Sequence, residues 1–342
     1  MKRIICCSDG TWNKPDEKDN GIISPTNVVT FKKMLLSKDK SGIIQKAFYD
    51  EGVGTKWYNK FTGGLFGLGI NENILDAYKF IVENYEKDDE IYLFGFSRGA
   101  YTARSVAGFI YNCGLLKKMN NKLLKEAFLL YKDRNDDTKP SSDKATDFRN
   151  KYCYDNVKIK CVGVWDTVGA LGIPLDIFDK INKDLFNTQF YDVRLNKTIE
   201  FAFHAVAIDE HRKPFVATLW EQDPDANANG QILEQVWFTG VHSDVGGGYS
   251  NTDLANCTLN WMIEKAKTAG LAFKNDVITG NGNGEMHDSM TNLYEKLGTV
   301  NRKMNNGIEF NESLSQEARN RWNADINNYK ANVNPNILPF VP

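Results

Sequence analysis

No run of about 18 or more apolar residues occurs anywhere in the 342-residue chain, so the sequence offers no candidate transmembrane helix. The N-terminus, Met1 to Asp9, sets two positive charges before only four apolar residues, fewer than the about 7–15 that a secretory signal needs. The chain is therefore expected in the cytoplasm when made, which is compatible with a signal-independent route of secretion. Neither sign of charge dominates: Lys and Arg number 42 against 44 Asp and Glu, a formal net charge of -2. No global basic field is available to draw in nucleic acid, so no nucleic-acid partner is expected. Cysteine is sparse, six in all, and no Cys-x-x-Cys pair occurs, which argues against a disulfide scaffold and a structural zinc site. Internal repeats and long low-complexity linkers are also missing. Histidine is scarce, with only His204, His211, His242 and His287 to supply imidazole chemistry.

What is present is enough apolar sequence, 42%, for a sizeable core in one large or two modest domains. Short apolar runs alternate with segments of helical spacing. Ile4–Ser8, Gln45–Asp50, Ile91–Gly95, Lys158–Trp165 and Gln235–Val241 read as strands. Asn27–Leu36, a stretch from Asn71 or Asn73 that places Ile74, Ala77, Tyr78, Ile81 and Tyr85 on one face, Ala100–Tyr111 and Leu254–Ala269 read as helices. Cys6 and Cys161 fall inside strand runs and read as small core residues. Residues 61–70, with four glycines, read as a mobile loop; 117–156 as a helical insertion; 171–234 as helix and loop with an exposed turn at 223–230; and the Asn-rich C-terminal tail as irregular surface. The alternation predicts an α/β fold with a mostly parallel central sheet and helices on both faces.

In such sheets, sites form beyond the C-terminal ends of the strands. Asp9, Ser97, Asp166 and His242 each follow a predicted strand. Ser97 lies in Gly95-Phe96-Ser97-Arg98-Gly99, a Gly-x-Ser-x-Gly turn between an apolar strand and a helix. A serine needs an imidazole to take its proton and a carboxylate to orient that imidazole. His242, in Thr239–Tyr249, is the favoured base. Asp166 or Asp209 is the acid; Asp166 is favoured because Asp209 reads as helical, and both give the chain order Ser, Asp, His. Backbone N–H groups of Gly10 or Thr11, with that of Arg98, are expected to form the oxyanion hole. Asp9 and Asp244 are support residues that hold their loops or share a cation. His204 reads as a core residue or one that supports the site, and His287 as solvated.

Cys7–Asn13, Gly52–Thr55, Gly95–Arg104, Trp165–Gly169, His204–Glu210 and Trp237–Tyr249 together resemble a large α/β-hydrolase family, once known only as a domain of unknown function. It includes the type VI secretion phospholipase effectors of the first (Tle-one-like) lipase class. The resemblance implies an α/β-hydrolase-like fold, a Ser97–Asp166–His242 triad without metal or other cofactor, and an ester substrate, phospholipid being the known class. Residues 1–342 are expected to form a single catalytic domain, with cap or lid insertions near 56–72, 117–156 and 171–234. A lipid or other ester is the expected partner, with transient contact to a membrane surface; no oligomeric state is implied. Three other readings stand beside it: the same triad acting on a soluble ester, thioester or peptide; a non-catalytic binding module of the same fold; and a metal-dependent hydrolase using Asp9, His242 and Asp244.

Overall fold

The computed structural model describes residues 1–10, 13, 15–52, 66–133, 135–168, 194–223, 225–226, 230–305 and 308–340. Seven strands form one sheet: β1 (Arg3–Ser8), β2 (Gln45–Asp50), β3 (Glu90–Phe96), β4 (Ile159–Trp165), β5 (Ile199–Ala207), β6 (Ile232–Phe238) and β7 (Glu312–Leu314). Their order is β7-β6-β5-β4-β3-β1-β2, and every pairing between neighbours is parallel. Among the described residues, the α-helices of five or more residues are α1 (Asn27–Met34), α2 (Phe66–Asn84), α3 (Arg98–Cys113), α4 (Asn121–Lys132), α5 (Asp143–Tyr152), α6 (His242–Gly246), α7 (Asp253–Thr268), α8 (Asn292–Leu297) and α9 (Gln316–Ala324). The α/β-hydrolase-like fold expected from the sequence is the fold observed.

Strand side chains alternate between the two faces with a period of two. Ile4, Cys6, Ile91 and Leu93 join the core under α2 and α3, whereas Ile5, Cys7, Tyr92 and Phe94 join the core under α1 and α7. Both faces are covered, which is why β1, β3 and β4 read as continuous apolar runs. α1 starts where the Thr26 side chain accepts a hydrogen bond from the Val29 N–H. α2 buries Ile74, Ala77, Tyr78 and Ile81, the face expected from spacing.

The strand order reverses at β1, whose two neighbours in the sheet are β2 and β3. A crevice opens at such a switch point beyond the strand ends, and Gly10 after β1 and Ser97 after β3 flank it. No helix among the described residues is long and apolar enough to cross a membrane.

Four local readings are corrected. Residues 66–70, read as loop, belong to α2; their glycines carry only a weak propensity penalty that packing overrides, while 61–65 lie outside the described residues. Residues 199–207, read as helix and loop, form the interior strand β5, because a short apolar run cannot be told from a buried helix by periodicity. Asp209 is thus in a loop after a strand, not on a helix. The C-terminal tail is not irregular: it supplies edge strand β7 and helix α9. The 117–156 insertion holds α4 and α5, which pack on the C-terminal half of α3. There Phe109 meets Phe128 and Tyr131, and Leu116 bridges Cys153, at the end of the helix remote from Ser97.

Candidate active site

The turn between β3 and α3 is tight because three backbones converge on it. A Cβ on Gly99 would come within 2.0 Å of the Ser8 carbonyl oxygen, and one on Gly95 within 2.2 Å of the Gly99 oxygen. Both positions therefore need glycine. Ser97 itself takes φ 57° and ψ −119°, a region costly for a residue with a Cβ, and its N–H donates to Trp165 O at 3.1 Å. Ser97 stands at the N-cap position of α3, but its side chain makes no cap hydrogen bond.

The Ser97 hydroxyl instead lies 2.8 Å from Nε2 of His242, whose Nδ1 lies 2.5 Å from Oδ2 of Asp166. All three side chains are buried. Asp166 follows β4, also with positive φ (38°), and accepts the Ala207 N–H at 2.9 Å. Burial alone would raise its pKa; Arg302, followed by His242, outweighs burial and holds the carboxyl well below the usual range. Burial holds the His242 imidazole below its ordinary value despite the opposing pull of Asp166. The ring is packed between Phe96 at 4.6 Å and Phe215 at 5.0 Å. A neutral imidazole thus faces a serine hydroxyl, with an ionised carboxylate behind it.

The remaining expected residues divide. Gly10 is at the serine: a Cβ there would lie 3.2 Å from Ser97 Cβ, and its N–H donates to Asp9 Oδ1 at 2.8 Å. Arg98 opens α3, and Thr11 lies outside the described residues. Asp9 is buried and also accepts the hydroxyls of Thr26 (2.6 Å) and Tyr49 (2.8 Å), so it ties the β1 loop to α1 and β2; burial raises its pKa. Asp209 does not reach His242. It accepts the Gly240 N–H at 2.7 Å and the Tyr329 hydroxyl, and burial pushes it up to about 6. Asp244 accepts the Val241 N–H and lies 2.6 Å from Nδ1 of His287, which stacks on Tyr249. His287 is therefore packed rather than solvated. His204 is fully buried: Nε2 accepts the Thr167 N–H at 3.0 Å and Nδ1 lies 3.2 Å from Gln235 Oε1. Among the described residues no group of three His, Cys, Asp or Glu is arranged to hold a metal.

Three contributors were not assigned a role from the sequence. Arg302 grips both oxygens of Asp166, at 2.6 and 2.9 Å. Glu210 accepts the backbone N–H of His242 at 3.2 Å and pairs with Arg212 at 2.7 Å. Arg212 in turn lies over the Phe215 ring, 3.6 Å from its centre. Glu210 closes the His204–Glu210 block; Arg302 sits in a polar stretch with no periodicity.

Fold and site together define a protein of the α/β-hydrolase class. The chain belongs to the family described as T6SS, Phospholipase effector Tle1-like, catalytic domain, which matches residues 2–265. It is 29% identical over 236 residues to the uncharacterized protein YEL023C of Saccharomyces cerevisiae, a match covering 63% of this chain and 32% of that protein. The chain thus spans about a third of that relative's length. Two solved structures are similar to it. One is the crystal structure of an uncharacterized protein from Pseudomonas aeruginosa, with TM-score 0.46, 17% identity, and coverage of 80% of this chain and 47% of that one. The other is the Tle1 effector bound to the VgrG spike from the Type 6 secretion system, with TM-score 0.38, 18% identity, and coverage of 73% and 51%.

Proposed function

We propose that this chain is a serine hydrolase of carboxylic esters, of the phospholipase A type, with Ser97 as nucleophile, His242 as base and Asp166 as the carboxylate that orients it. The observation that carries the reading is the 2.8 Å contact between Ser97 Oγ and His242 Nε2, within the reach a proton transfer requires. Nε2 takes the hydroxyl proton as Oγ adds to the ester carbonyl carbon. The resulting oxyanion is met by the Arg98 N–H at the start of α3; the Gly10 N–H is held by Asp9, so the second donor is Thr11, unless Gly10 exchanges Asp9 for the oxyanion. The protonated imidazole then gives its proton to the leaving alcohol, here a lysophospholipid, and an acyl-Ser97 ester remains. Water, deprotonated by His242, attacks that ester; the fatty acid leaves and Ser97 regains its proton.

Membership of a phospholipase effector family supports lipid over other esters. The whole chain is read as one catalytic domain. Of the segments near 56–72 and 171–234, residues 66–72, 199–207 and 232–234 belong to α2, β5 and β6; the cap over an acyl chain, or the transient contact with a membrane surface, is proposed for the remainder. The test is fatty-acid release from phosphatidylethanolamine vesicles by wild type and Ser97→Ala. Wild type is expected to release fatty acid and the variant not to. Equal release by both overturns the role of Ser97, and hydrolysis of short soluble esters with none from vesicles overturns the lipid substrate.

A further inference from the structure

Arg302 lies beyond the family match at residues 2–265, in the stretch before β7. Its side chain is buried, and it reaches Asp166 across 136 positions of sequence. Besides both Asp166 oxygens, it donates to the carbonyls of Ala207 and Phe215. Its own carbonyl accepts the side-chain N–H groups of Asn334 and Asn336, so both the head and the root of this residue are fixed. Asp166 receives four N–H contacts in all: from Ala207, from His242 and two from Arg302. A bidentate guanidinium admits only one orientation of a carboxylate.

The charges around His242 then balance. Asp166 is opposed by Arg302, and Glu210, which accepts the backbone N–H of His242, is opposed by Arg212. Asp244, on the same helix as His242, is turned toward His287. A carboxylate beside an imidazole ordinarily raises its pKa, because the imidazolium gains a partner. Here Asp166 still pulls the imidazole upward, but burial, with Arg212 nearby, outweighs that pull, and Arg302 stands as a counter-charge on the far side of the same carboxylate.

We propose that Arg302 is a positioning residue of the active site: it fixes the Asp166 carboxylate toward Nδ1 of His242 and, as the counter-charge behind that carboxylate, limits its pull on the imidazole that must take the Ser97 proton. The C-terminal segment beyond the family match therefore completes the site rather than merely covering it. The inference rests on the triad reading, and its test is built to fail separately from it.

The test follows the His242 ring resonances by NMR against pH in the full chain, for wild type, Arg302→Gln and Arg302→Lys, beside the pH profile of fluorophosphonate labelling. The His242 titration needs no turnover, so it is read even if the chain hydrolyses nothing. Arg302→Gln removes the charge and is expected to move the midpoint up by about one pH unit, with the acid limb of labelling moving with it. An unmoved midpoint in the folded variant overturns the proposal. If Arg302→Gln does not fold, Arg302→Lys decides. It keeps the charge but loses the fork, so the midpoint is expected to stay in place while labelling slows about tenfold. Labelling by Arg302→Lys at the wild-type rate overturns the positioning role.

Discussion

The Oγ of Ser97 and Nε2 of His242 stand 2.8 Å apart although 145 positions separate them in the chain. The approach depends on two strand ends at one edge of a parallel sheet, β3 for the serine and β6 for the loop that leads to α6. Replacing the imidazole while leaving this frame intact isolates its chemical part. His242→Ala is expected to retain the wild-type melting temperature to within a few degrees and to lose activity by at least about 10³-fold in kcat. Steady-state assay on an ester substrate checks this; a loss of less than about tenfold contradicts a base at this position.

The elbow leaves no room for a side chain at position 99. Gly99→Ala would press a methyl into the Ser8 backbone, where rotation of a side chain cannot relieve it. A destabilisation on the order of 3 kcal/mol is expected, read as a fall in the denaturation midpoint. A variant as stable as wild type would mean that β1 and α3 are not in this close contact.

The acid limb of activity follows from the state of His242. The base works only as neutral imidazole, so activity falls as pH drops through its pKa in the folded protein. Burial lowers that pKa, so the midpoint of the limb in kcat/KM is expected below the ordinary imidazole value of about 6.5. A midpoint at or above that value contradicts a buried imidazole in a charge-balanced setting.

His204 makes a prediction about stability. Burial, helped by the nearby Arg104, pushes its pKa down to about 3. The folded state therefore declines a proton that the unfolded chain accepts near pH 6.5. The associated stability is fully present above that pH and declines below it by about 1.4 kcal/mol per pH unit, down to the folded value. Between pH 7 and pH 5, wild type is expected to lose about 2 kcal/mol more than His204→Gln in denaturant titrations. Asp209, raised to about 6, shifts stability in the opposite direction but does so in both proteins. Identical pH dependence of the two would contradict a neutral buried His204.

The strands that stand next to Ser97 and Asp166 were plain in the sequence because both sheet faces are covered, so Ile4–Ser8, Ile91–Phe96 and Val162–Trp165 are unbroken apolar runs. The Gly95–Gly99 pattern was plain for a related reason: close backbone contact restricts composition. β5 was hidden, since Glu200 and His204 interrupt the apolar run of Ile199–Ala207 and no period of two marks it as a strand. β7 is only three residues long and gains its stability from pairing with β6. Arg302 was invisible because its role comes from a distant carboxylate and leaves no mark on its own neighbours. The same holds for the Tyr329 contact that turns Asp209 away from the imidazole, which spacing alone could not decide against Asp166.

The central claim is that His242 makes Ser97 nucleophilic, and covalent labelling tests it most directly. The folded chain is treated with a fluorophosphonate probe, and the modified peptide is located by mass spectrometry. One adduct per chain on Ser97 is expected, absent in Ser97→Ala and slowed by at least about 10³-fold in His242→Ala. No adduct in folded wild-type protein, or an adduct on Ser97 that forms equally fast without His242, would contradict the account.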